Sequence, residues 1–158
     1  MDAETDVKAL FDDARRRLAG SPRERLGDWA HARRLLGFGR APRIVPVGEA
    51  WHVGVLLIAD AAVYATGEIL RARTEAPRGY TAQAQRERSE RAAAAARGGF
   101  ADGETLHLGA VEIDVDAVSR GGASGPLAMV DGIPSVAWNA AGARRSLAEY
   151  LDEQLSLR

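Results

Sequence analysis

The chain has 158 residues, no cysteine and a formal net charge of −1. That length suits one domain, residues 1–158, with a core of its own, and the missing thiols exclude disulfides, thiolate zinc sites and a cysteine nucleophile. Near-zero net charge removes any overall pull toward polyanions or acidic membranes.

The opening stretch MDAETDVKAL is acidic and polar, without the basic start and apolar core of a signal peptide, which gives a cytoplasmic expectation. Between residues 5 and 19, Val7, Leu10, Phe11, Ala14 and Leu18 follow the spacing of one helical face, with acids before it, arginines at its end and Gly20 to stop it. Ser21-Pro22-Arg23-Glu24 then has the form of a capping box. It predicts a second helix reaching Leu36, so that 5–36 reads as a helical hairpin.

Gly37 to Pro42 connect to Ile44, Val45 and Val47, a short strand compromised by Pro46 and expected at a sheet edge. Trp51 to Ile58 read as one strand. Its apolar run, Val53 to Ile58, is far short of the roughly 20 residues of a spanning helix, so no membrane is expected. After a turn at Asp60, Val63 to Leu70 alternate as its hairpin partner. Residues 81–97 form a polar helix whose only continuous apolar surface is alanine, closed by Gly98-Gly99 with Phe100 folding back. Such an alanine strip either stays solvated, packs closely on a backbone or serves self-association. Thr105 to Val115 read as a strand bent at Gly109, and Asp131-Gly132 marks a tight hairpin between Met129-Val130 and Ile133 to Trp138. Asn139 is placed to cap a terminal helix over 140–157, with Leu147, Tyr150, Leu151 and Leu155 on its apolar stripe. The fold expected is α+β, with an N-terminal helical hairpin and a C-terminal helix packed around one mainly antiparallel sheet spanning 43–138.

Glu112, Asp114 and Asp116 occupy every second position of the expected strand, which would project three carboxylates from one face at roughly 6.7 Å intervals. Two of them could hold a hard cation, although the simpler reading is a solvated strand face, since the calcium-loop pattern is missing. The histidines are His31, His52 and His107. His52 and His107 would meet if their strands pair, and a general acid/base would be His52 beside Glu49 or Asp60. No serine lies in a nucleophile elbow. The glycines of 37–39 and 120–125 lack the strand-to-helix context of a phosphate loop, and nothing in the chain calls for a cofactor.

Arg33, Arg34, Arg40 and Arg43 with Trp29 and Phe38 form the best basic-aromatic cluster, but Asp28 and Glu49 interrupt it and nucleic acid is not favoured. Trp51, Arg40 and Arg43 are ligand-wall candidates. The leading functional expectation is a module acting by self-association, as a homo-oligomer and most simply a dimer, or by binding a protein or small-molecule partner. The alternative is a small hydrolase-like or metal-assisted enzyme using His52, His107 and Asp60. Nucleic-acid binding through the arginine cluster is the weaker third.

Overall fold

A computed structural model of the chain describes residues 3–30, 41–75 and 82–158. A single 3-10 turn, Ala3–Thr5, precedes α1 (Val7–Leu18); β1 (Glu24–Trp29), β2 (Ile44–Val53), β3 (Leu56–Ile58), β4 (Val63–Ala65) and β5 (Glu68–Arg71) lead to α2 (Gln83–Arg97). β6 (Thr105–Leu108), β7 (Val111–Glu112), α3 (Val115–Ser119), β8 (Ala123–Ser124), β9 (Leu127–Val130), β10 (Ile133–Ala137), β11 (Arg144–Ser146) and α4 (Leu147–Ser156) follow. The α+β class is as expected, with helices beside mainly antiparallel strands. Among the described residues no helix is long and apolar enough to cross a membrane.

The chain forms two compact units. One gathers the described residues up to Arg23 with Ala50–Thr66 and Ala110–Arg158; the other holds those of Glu24–Glu49 and Gly67–Gly109.

In the first unit, Asp6 starts α1 by accepting hydrogen bonds from the backbone N–H groups of Lys8 (3.1 Å) and Ala9 (3.2 Å). The helical spacing then does what it predicts: Val7, Phe11, Ala14 and Leu18 are buried on one face. They share a core with Trp51, Val53, Leu56, Ile58 and Val63 from the strands and Leu147, Tyr150 and Leu151 from α4. The stretch expected as one long strand, Trp51 to Ile58, instead folds back on itself. Trp51, His52 and Val53 pair antiparallel with Ile58, Leu57 and Leu56, leaving Gly54-Val55 as the turn, with Gly54 at φ +60°. A turn hidden inside an apolar run is possible because glycine carries no Cβ to oppose that backbone. β3 continues antiparallel to β4, and β4 to β7.

A second sheet runs in the order β11-β10-β9-β8. Its Asp131-Gly132 turn has both residues at positive φ, 51° and 77°, the twist a two-residue hairpin needs. The C-terminal helix is shorter than expected. Asn139 does accept from Ala143 N–H at 2.9 Å, but this closes an isolated turn; β11 intervenes, and Ser146 caps α4.

The second unit corrects the helical hairpin. Glu24–Trp29 is a strand, β1, paired in parallel with β6 through Arg25↔Leu106, Leu26↔His107 and Gly27↔Leu108. Gly27 lies under the side chains of its neighbours: a Cβ there would meet Ile44 Cγ2 at 2.8 Å and Leu106 Cδ1 at 2.9 Å, so these side chains would have to shift to admit one. The remainder of the expected hairpin, 31–36, lies outside the described residues. Strands here run β5-β6-β1-β2. β2 is ten residues long, but β3 pairs only with its Trp51–Val53 end, so among the described residues Ile44 to Val47 stand at the end of this order, at the edge that Pro46 suggested. Residues 63–70 likewise divide, into β4 and β5, at Gly67, whose Cα faces the backbone of Leu108 and Gly109 too closely for any side chain.

α2 carries its alanine strip inward. Ala92, Ala94 and Ala95 are buried, the last two in a core with Ile44, Leu70, Ala72, Phe100, Leu106 and Leu108, so the strip packs within its own unit. Phe100 folds back as expected, donating its N–H to Ala95 O at 3.1 Å. Arg25 lies over the Phe100 ring, 4.7 Å from its centroid, and grips both oxygens of Glu104 at 2.6 and 2.7 Å.

That grip, with a lesser contribution from Ala101 N–H, holds the Glu104 carboxyl below the usual glutamate range. A carboxyl depressed on folding stabilises above its unfolded pKa, and the contribution is lost as pH falls through the folded value. Partial exposure of both side chains keeps it under about 1 kcal/mol. Urea midpoints at pH 7 and pH 3 should therefore fall further for the wild type than for Glu104→Gln; equal falls would show that the pair contributes nothing.

Candidate functional site

The first unit carries a cleft of about 570 Å³. One wall is a face of α1, where helical spacing brings Lys8, Phe11, Asp12 and Arg15 together; the turn before β4 supplies Ala61 and Ala62, and β7 with the start of α3 supplies Glu112 to Asp116. Arg15 is fixed rather than free. Its Nε donates to Ala59 O at 2.8 Å and its Nη1 to Asp12 at 2.9 Å. Lys8 Nζ lies 2.5 Å from Asp116 Oδ1, joining α1 to α3; this contact raises the pKa of the ammonium and lowers that of the carboxyl.

Asp114 caps α3 by accepting from Ala117 N–H at 2.9 Å, and its own N–H donates to Ser124 Oγ at 2.9 Å. Glu112 stands opposite Tyr64 at the end of the sheet, and among the described residues no ion pair engages its carboxylate. Four carboxylates thus face one lysine and one arginine around walls that include Phe11, Val63 and Ile113. The cleft is negative, with an apolar base, and of the size that accepts a small organic molecule.

The three acids of the expected ladder do line this cleft, but not as a strand face. Only Val111–Glu112 is strand; Asp114 is the cap and Asp116 the first turn of a helix, so the period-two projection is wrong. Alternating acid and apolar residues fit a strand, yet Asp at a cap offers its carboxylate to free N–H groups that a strand does not have. The glycine-rich segment after α3 is also more ordered in pattern than a loop: Ala123–Ser124 pair with Ala128 and Leu127.

The histidines fall in different units. His52, half-buried on β2, has Nε2 2.9 Å from Gly54 O, and its own carbonyl accepts from the Arg158 guanidinium. His107, fully buried on β6, has Nε2 3.1 Å from Glu24 Oε1, whose side chain is 32% exposed. Of that pair only the carboxylate reaches solvent. The capping-box pattern hides Glu24 as a site residue in the sequence; alternation with Leu26 on a strand is the signal that points to it.

Asp60 is bound to Arg23 at 2.8 Å, and that hydrogen bond lowers its pKa. Glu49 is an exposed residue of β2. Trp51 is buried, its Nε1 donating to Ser21 O at 3.1 Å under the Arg23 guanidinium. Of the arginine cluster, Arg43 is half-buried just before β2 and its carbonyl accepts from Ala30 N–H, whereas His31, Arg33, Arg34, Phe38 and Arg40 lie outside the described residues. In comparisons with known proteins, the chain matches no family model, and no curated protein or solved structure matches it.

Proposed function

We propose that this chain is a binding module for a small organic cation, seated in the cleft between α1 and the β7–α3 segment. The observation that carries the reading is the cleft itself: about 570 Å³, with four carboxylates against two cations and apolar side chains at its base. A ligand with an ammonium group and a hydrocarbon body would gain both charge and burial there. Assembly now has less behind it. The alanine strip is used within α2's own unit, so one of the two features that favoured a homo-oligomer has other employment, and the edge at Ile44 to Val47 remains.

The test is titration of 15N-labelled protein with three matched probes: phenethylamine, 3-phenylpropionate and 2-phenylethanol. The amine should move the amides of residues 61–63 and 112–116 and bind tightest. Ala61→Trp, an exposed wall position, should fill the cleft and abolish the response while leaving the fold intact. No saturable shift with any of the three would overturn the reading, as would a response that survives Ala61→Trp.

A further inference from the structure

A second cavity, of about 630 Å³, opens in the same unit at the C-terminal end of α1 and has the opposite character. Its lining includes Arg15, Arg16, Ser21, Arg23 and Trp51, with Asp60 as its one carboxylate. Three guanidinium groups against one acid leave an excess positive charge, and guanidinium forks match the oxygens of a phosphate. The helix end does not cancel this. Its terminal carbonyls are occupied, Leu18 O by Ser21 N–H at 2.8 Å and Arg16 O by Ala19 N–H at 3.4 Å.

The arginines are not equally committed. Arg15 is bound to Ala59 O and Asp12, and so sets charge more than it supplies contacts. Arg16 reaches Asp13 only at 3.5 Å, and its side chain is 72% exposed. Arg23 is held over the buried Trp51 ring, 3.9 Å from the centroid, and its Nη2 lies 2.8 Å from Asp60 Oδ1. This guanidinium is oriented before any ligand arrives. The carboxylate it holds is 76% exposed and is placed to give way to, or share with, another anion.

We infer that this cavity binds the phosphate dianion of a small phosphate monoester, gripped by Arg16 and Arg23 with the Ser21 hydroxyl beside them. The inference does not depend on the cation cleft, although Arg15 lines both. A dianion fits the charge excess better than a carboxylate. Asp60 then acts as the competitor that occupies Arg23 in the unliganded protein.

The experiment is a 15N titration of the whole chain with inorganic phosphate and with phenyl phosphate, against acetate and against sodium chloride at matched ionic strength. Both phosphates should give saturable shifts at Gly20, Ser21 and the Trp51 indole, with acetate weaker. Arg16→Gln and Arg23→Gln should each weaken binding about fivefold to tenfold, and Asp60→Asn should tighten it about threefold. Arg16 is exposed on the helix, so its variant reports on binding even if Arg23→Gln disturbs the turn. Shifts no larger than those of chloride would overturn the inference, as would affinity unchanged in Arg16→Gln and Asp60→Asn.

Discussion

Gly98→Ala is expected to cost about 3 kcal/mol or more, one of the largest losses available to a single methyl group in this chain. Gly98 closes α2 in an ordinary right-handed conformation, φ −84° and ψ −5°, so its backbone asks nothing of glycine. The demand is for space. A Cβ there would collide with the backbone carbonyl of Ile44, and Ile44 is itself fully buried in the core of the second unit. A flexible side chain could rotate away, whereas a strand carbonyl yields only if helix and sheet separate. Gly99 provides the control. It has φ +111° and nothing near its missing side chain, so Gly99→Ala carries a backbone penalty of about 1 kcal/mol and no collision. Urea unfolding of both variants separates the causes, and equal losses would refute the packing argument.

Tyr150→Ala should be comparably severe, at about 4 kcal/mol, with Tyr150→Phe losing about 1 to 2 kcal/mol. The ring is buried in the first unit's core, and its hydroxyl accepts the N–H of Val55 at 2.9 Å. That N–H belongs to the turn that folds β2 onto β3. Gly54, just before it, leaves no room for a Cβ beside the Tyr150 hydroxyl, so turn and tyrosine fit each other. Phenylalanine keeps the ring and strands a part-buried donor; alanine also opens a cavity. If Tyr150→Phe unfolds at the wild-type urea concentration, the hydroxyl contributes nothing to holding the turn.

The features legible in the sequence are those whose causes are local. The period of Val7, Phe11, Ala14 and Leu18 gives α1, Asp131-Gly132 gives a hairpin, and Gly98 to Phe100 give the end of α2. β1 is not legible because a good local signal competes with a distant one. Ser21 to Glu24 satisfy a capping box on paper, but the strand partners of Arg25, Leu26 and Gly27 lie about eighty residues further along, at Leu106 to Leu108. Parallel pairing leaves no trace in the intervening sequence. The cleft is half legible for a similar reason: its acids Glu112, Asp114 and Asp116 stand out as a set in the sequence, but Lys8 and Arg15 reach them from another segment. Trp51, considered as a ligand wall, does line the arginine cavity, beside partners that adjacency in sequence only partly suggests.

The composition of the first unit has a consequence for how the chain is made. Arg17 of α1 binds Asp152 of α4 at 2.6 Å across 135 residues, and α1 shares its core with Leu147, Tyr150 and Leu151. During synthesis α1 leaves the ribosome before α4 and meets these packing partners only after the intervening residues have followed. Until then Phe11 and Leu18 have no complete core to enter. Folding of this unit should therefore be slow for its size, as expected where contacts are distant in sequence.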